Sequence, residues 1–431
     1  MREKNSKGDG CIYQEISQIA NLLENQPDAR FYENLFKYLD VSPVKASIPK
    51  MGRPSEKVAL FRSCVVMKCE KLSKTSELLD YLKNNLMVAR QCGFDLAKGL
   101  PSYWTFNRYI RKLDNNILKE VMKGQVLELV EMELIDGSFV GLDSTPNAAN
   151  TKQNNPKCFM HNKFDKENPP KSDKDCSLGV HTASNQHNDK KYEFYWGYKN
   201  HVLSDCITGL PIYEMTTGAS TVDSAVAVDI LAKTHSFLSL EECSFIADAG
   251  YDIKEIYNTV RNIYHGDCYI PINPRNTKNP ELLPVGVPLC EAGLAMTRNG
   301  TNRHDNRTRR QFCCPFKRSK HDVCPINHSK WNNGKKTHGC TITITVPDDY
   351  RLSIDRKSKD FKDVYKLRTE CERYNSRFKA TGQERLWVRN FNSAQNLNSF
   401  AHIALLAVAI AAVKSESKIS YRAIFSLKRY A

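Results

Sequence analysis

The sequence predicts an α/β protein: a mixed sheet with helices packed on it, preceded by an all-helical region and interrupted by a basic, cysteine-rich segment. Three observations carry the prediction. Apolar residues recur at spacings of three and four up to Leu134, the pattern shortens to that of strands from Gly137, and the helical spacing returns after Lys359.

The helical region, residues 1–134, contains FYENLFKYLD, KVALFRSCVVMKCEKL, SELLDYLKNNLMVARQCGF and a stretch from Ser102 to Glu133. Ser102 stands where an N-cap belongs, and LPSYWTFNRYIRKLD then alternates bulky apolar residues with Arg and Lys, which fits a DNA-reading helix and an ordinary amphipathic helix equally. Residues 135–272 carry SFVGLD, YWGYKNHVLSD, GLPIYEMTTG, CSFIAD and CYIPI, all short, β-branched or aromatic and bounded by Gly, Pro or Asp. Helices are expected over 223–237 and 252–264, and a long polar surface loop over 151–191. Residues 273–345 form the insertion. Residues 346–414 return to helix, and 415–431 are a tail.

The chain of 431 residues carries 63 Lys and Arg against 48 Asp and Glu, a net +15 that points to a polyanionic partner. Residues 273–340 alone hold 13 basic and 4 acidic residues, which concentrates +9 of that charge in the insertion. The run FAHIALLAVAIAAV (400–413) is shorter than the ~20 residues of a membrane span and contains His402, so it reads as a buried helix. The opening MREKNSKGDG has charge and no apolar stretch, so no signal or transit peptide is expected, and the protein is expected in the cytoplasm on the nucleoid. In that compartment most of the fifteen cysteines are expected as reduced thiols.

Three acidic residues stand out. Asp143 closes the first strand, Asp248 closes FIAD, and Glu372 lies in YKLRTECERYNSRFK. An aspartate at a strand end faces the crevice where such sheets bind ligands, although Asp is also an ordinary turn residue. At ~100° per residue, Tyr365, Arg368, Glu372 and Lys379 fall within about 60° of one another on a helix, whereas Glu370 points away and reads as a solvated residue.

This stripe resembles the Tyr-Arg-Glu-Lys signature of bacterial insertion-sequence transposases of the DDE type, Y-x2-R-x3-E-x6-K. GLDSTPN is similar to that family's first-aspartate strand, YWGYKNHVLSDCITGLPIYEMTTG to its hairpin and FIADAGYD to its second-aspartate strand, so the resemblance covers about residues 55–413. It implies a ribonuclease-H-like catalytic domain and a transposase that cuts at the ends of its element and joins them to target DNA. It also implies Asp143, Asp248 and Glu372 as ligands of two Mg²⁺ or Mn²⁺ ions, with Tyr365, Arg368 and Lys379 gripping phosphates. The partners implied are double-stranded DNA and a second copy of the chain, since two ends must be held together. The alternatives are a related nuclease without strand transfer and a non-catalytic DNA-binding repressor.

The family often carries a strand-rich insertion between the second Asp and the Glu, and here the sequence shows the basic, cysteine-rich segment instead. Arg307, Arg309 and Arg310 in it are expected to contact phosphates. Cys290, Cys324 and Cys340 with Cys314 or Cys313, among His321, His328 and His338, fit a structural zinc site, the alternative being reduced thiols on a basic loop. Trp387 fits a base-stacking role, but an aromatic beside a helix terminus is read as core; His181 and His201 read as surface or hydrogen-bonded histidines.

Overall fold

The computed structural model describes residues 17–19, 21–49, 56–184, 190–273, 283, 287–304, 307–318, 324–326, 339–345 and 350–415. His321, His328, His338 and residues 416–431 of the tail lie outside the described residues, and Arg307 is described only by its backbone position.

Among the described residues, the helical region from Pro27 onward runs through α1 (Pro27–Tyr38), α2 (Ser42–Ala46), α3 (Lys57–Cys69), α4 (Thr75–Asn84), α5 (Leu86–Cys92), α6 (Tyr103–Lys112) and α7 (Asn115–Glu131). The stretch from Ser102 is thus two helices. Asp114 ends the first by capping the second, accepting from the Asn116 amide at 3.0 Å.

The sheet contains β1 (Phe139–Ala148), β2 (Ser177–Ser184), β3 (Lys190–Asp205), β4 (Pro211–Gly218), β5 (Ser244–Ile246) and β6 (Asp267–Tyr269). Across its wide part the order is β4, β3, β1, β5, β6; β1 runs antiparallel to β3, and β5 and β6 lie parallel to β1 and to each other. This is the ribonuclease-H-like mixed sheet. Helices α8 (Ala227–His235) and α9 (Lys254–Ile263) form the crossovers that parallel pairing requires.

The expected loop over 151–191 is corrected in part. Residues 177–184 form β2, paired with the first half of a β3 longer than the sequence pattern indicates. Residues 151–176 are pinned turns: Cys158, Asp173 and Cys176 are buried, and Trp196 Nε1 donates to the Lys163 carbonyl at 2.9 Å.

The insertion is also strand-rich, contrary to the sequence reading. β7 (Thr297–His304), β8 (Arg307–Cys313) and β9 (Thr341–Thr345) make a three-stranded antiparallel sheet. Its strands escape notice because Arg, Thr and Asn occupy most positions and its core is small, built on Cys290, Met296, Phe312, Cys340 and Ile344.

After α10 (Tyr350–Ser353) come α11 (Lys359–Tyr365), α12 (Thr369–Phe378) and α13 (Phe391–Lys414). Helix α13 is apolar all round, and such a helix must be enclosed. By length and composition it passes as a membrane span, yet 94% of its apolar window is buried inside the molecule. It packs against α3, α6 and α7 on one side and β3 and β4 on the other. One continuous core therefore runs from Phe31 to Ala412, and the change at residue 134 is one of secondary structure, not of core.

Candidate active site

Strand β1 presents Val140 and Leu142 to the main core and Gly141 and Asp143 to the opposite face, where α12 lies. At Gly141 the helix comes so close that an added Cβ would stand 2.6 Å from Cys206 Sγ and nearer still to Cys371 Sγ. Two residues along the strand, about 6.8 Å, roughly match one helical turn, about 5.4 Å. Asp143 therefore meets Asn375, whose Nδ2 donates to Asp143 Oδ2 at 2.8 Å. Helix α12 offers Cys371, Tyr374, Asn375 and Phe378 as its buried stripe, the i, i+3, i+4, i+7 spacing of an amphipathic helix.

Asp143 is inside β1 rather than at its end, a correction to the sequence reading. What ends beside it is the parallel pairing: β5 pairs with β1 only through Gly141 and Ile246, and Asp143 and Asp248 each follow two residues later. Asp248 is held by its own turn, accepting from the Gly250 amide at 2.7 Å.

Asp143, Asp248 and Glu372 line one cleft of about 680 Å³ together with Arg368 and Lys379. Arg368 Nη1 donates to Glu372 Oε1 at 2.5 Å. Burial opposes the charge on Arg368, but Asp143, Tyr365, Glu372 and Asp248 outweigh it and raise its pKa. Burial pushes the Asp143 carboxyl up to about 6, against the Ser144 amide and Arg368, which favour its charge, and with Asp248 and Asp223, which oppose it.

The signature stripe is not one uniform helix. Tyr365 ends α11, Lys366–Arg368 is a 3₁₀ turn, and Lys379–Gln383 is a π segment. Tyr365 stacks on Phe361 at 5.8 Å beside the cleft and does not line it. Glu370 does point away from the cleft, but it is not solvated: its side chain is 12% exposed and paired with Arg373.

Three cleft residues escaped the sequence reading. Asp223 lies after β4 and accepts from Lys199 Nζ at 2.9 Å, while Lys199 also donates to the Thr221 carbonyl at 3.0 Å. Their association crosses 24 residues, so no local spacing reveals it. Asn375 was legible, since it shares the stripe of Glu372. His201 is fully buried, its Nε2 2.9 Å from Thr217 Oγ1, and burial pushes its pKa down to about 4. His181 lines the cleft.

A buried polar chain holds α12 from behind. Lys119 of α7 pairs with Glu214 of β4, Asn200 donates to Glu214 Oε2 at 2.7 Å, His402 Nε2 lies 2.8 Å from Asn200 Oδ1, and Tyr374 closes on His402 Nδ1 at 2.5 Å.

In the insertion Cys290, Cys314, Cys324 and Cys340 are all buried, and the Cys314 amide donates to the Cys340 carbonyl at 2.8 Å. Burial raises the Cys340 thiol, with Cys290 and Cys314 near enough to add to it. Cys313 turns instead toward Thr297, 3.7 Å from its Oγ1. Among the described residues, no three His, Cys, Asp or Glu side chains stand together at metal-ligand spacing. Arg309 and Arg310 are both exposed on β8 but project to opposite faces. Trp387 is 38% exposed, which overturns its reading as core.

The family model described as transposase DDE domain matches residues 134–407, and a second, transposase domain DUF772, matches residues 20–112. No curated protein matches the chain. Among solved structures, the piggyBac transposase synaptic complex with hairpin DNA is similar at 11% identity over 95% of this chain and 80% of that one, with a TM-score of 0.38. The Mos1 transposase paired-end complex with left transposon end follows at 13% identity over 54% of this chain and 63% of that one, with a TM-score of 0.17.

Proposed function

Because the chain belongs to the transposase family with a DDE domain, we propose that Asp143, Asp248 and Glu372 are the carboxylates with which this DNA transposase cuts at the ends of its element and joins them to target DNA. One observation supports the assignment: three acidic side chains from three separate elements line a single cleft that also holds Arg368 and Lys379. In its chemistry the donor set suits two hard divalent cations, Mg²⁺ or Mn²⁺, since it is made of carboxylates and one of them, Asp143, is buried at a cost to its own charge; such cations would draw together side chains that do not themselves stand at metal-ligand spacing. Asp143, Asp248 and Glu372 would hold these cations, which when bound would supply charge neutralisation for phosphodiester chemistry.

The chain's own residues do the rest. Asn375 orients the Asp143 carboxylate, Arg368 offers a guanidinium fork to phosphate oxygens, and Lys379 and Lys199 add point charges along the cleft wall. Tyr365 supports Arg368 from beside the cleft. The DNA partners are the element ends and the target, held by two copies of the chain, and this work belongs on the nucleoid in the cytoplasm. In the insertion, Cys290, Cys314, Cys324 and Cys340 would hold a structural zinc only by closing on one another, since they do not stand at metal-ligand spacing; the burial of all four thiols in a segment with little other core is what supports that reading. Metal analysis should find about one zinc per chain, and equal protease resistance of metal-free protein refutes it.

The test of the catalytic reading is cleavage of DNA carrying the element ends. Asp143→Asn, Asp248→Asn and Glu372→Gln should each abolish Mg²⁺-dependent cutting while binding persists, and Glu370→Gln should still cut. Full activity in any of the first three sinks the assignment.

A further inference from the structure

A second cleft, of about 430 Å³, lies where α4, α6 and the segment before α13 meet. Its walls include Lys74, Tyr103, Asn107, Arg111, Trp387 and Arg389, and none of the described residues lining it is acidic. That sets it apart from the catalytic cleft, whose cations face carboxylates.

Trp387 is its platform. Lys74 Nζ lies 4.5 Å and Arg385 Cζ 4.8 Å from the centroid of its ring, so an exposed indole has two cations against it. Arg111 and Arg389 are exposed, and the outer face of α6 continues the surface: Trp104, Arg108 and Arg111 share one stripe at i, i+4 and i+7, with Trp104 69% exposed. An aromatic face in a polar groove, with exposed Arg111 and Arg389 on its rim and Lys74 shared between the ring and Glu77 at 3.2 Å, is the chemistry that takes a nucleobase on the ring and phosphates on the rim.

The two clefts lie on one strand. Asp143 to Pro146 of β1 line the catalytic cleft, Ala148 pairs with the backbone around Arg385, and Asn150 lines the second cleft. Seven residues of extended chain reach about 23 Å at most, the rise of about seven base pairs. The two clefts are therefore within the span of one short stretch of DNA strand.

We propose that this cleft captures an unpaired base of the DNA strand on Trp387, with Lys74, Arg111 and Arg389 on the adjoining phosphates. Stacking of a base is worth more than an exposed cation–π contact, so the base displaces a cation from the ring and frees it for phosphate. The ligand class rests on the transposase reading, but the cleft needs no carboxylate or metal.

The test is binding of fluorescent oligo-dT of about 15 nucleotides, and of a fully paired duplex of equal length, to the full chain in EDTA. Trp387→Ala should weaken oligo-dT binding by about 5- to 150-fold, with Trp387→Phe close to the parent chain and duplex binding unchanged. Arg111→Gln and Arg389→Gln should each flatten the single-strand salt slope by about 0.7. Because the assay reads binding alone and is run in EDTA, failure of the catalytic reading, which is read by Mg²⁺-dependent cutting, leaves this result standing. Equal oligo-dT affinity in Trp387→Ala, or equal weakening on single strand and duplex, overturns the proposal. Should that variant misfold, an unchanged salt slope in Arg389→Gln overturns it instead.

Discussion

Replacing Asp143 with Asn should make the metal-free protein more stable while destroying its activity. An unfolded aspartate titrates at about 3.9, whereas burial holds Asp143 at about 6. A raised carboxyl pKa means that the folded state resists ionisation, so the penalty is absent below about pH 4, grows between about 4 and 6, and is complete above that. A rise of this size costs the parent about 3 kcal/mol at pH 8 and about 1 kcal/mol at pH 4.5. The introduced amide keeps the acceptor for the Ser144 amide, and its NH₂ finds a partner if the Asn375 amide turns, because Asn375 Oδ1 is buried without a hydrogen bond. Denaturant unfolding in EDTA at the two pH values reads the difference. The variant should gain about 2 kcal/mol on the parent between pH 4.5 and pH 8, and Mg²⁺ should close the gap by stabilising the parent alone. A variant less stable than the parent at pH 8, or a gap independent of pH, refutes the argument that Asp143 is held charged at the expense of the fold.

Other outcomes follow from the packing. Gly141→Ala should drive α12 off β1, costing about 1–3 kcal/mol and most of the cleavage activity, because its Cβ meets the Cys206 and Cys371 thiols; unchanged cleavage would mean the helix can shift without moving Glu372. Lys119→Met leaves Glu214 as a buried, unbalanced charge and should cost about 3–5 kcal/mol in unfolding experiments, whereas Lys119→Met with Glu214→Leu should recover much of it. In the insertion, Arg309→Ala should reduce the slope of log affinity against log salt by about 0.9, and Arg310→Ala by less, since Arg310 projects to the face that carries Phe312 and Ile344; equal effects would place DNA on both faces.

What the sequence alone determined was local or periodic. The spacing of Tyr365, Arg368, Glu372 and Lys379 is readable because a helix converts spacing along the chain into a shared face, and the breaks into 3₁₀ and π turns left Arg368, Glu372 and Lys379 on one cleft. The apolar run before Lys414 announced a buried helix because no polar face exists on which it could meet water. Composition hid the insertion's sheet, where Arg and Thr fill both faces and little apolar surface marks an inside.

The tertiary structure decided the pairings that chain distance conceals. Asp223 finds Lys199 across a strand and a turn, and Glu214 finds Lys119 across 95 residues. Trp387 is left exposed in the segment between the π turn and α13, and Asp143 is buried because Gly141 lets α12 close on β1. Pattern along a chain says which face a residue takes. Which groups then meet, and at what cost to their charge, is set by the packing of elements far apart in sequence.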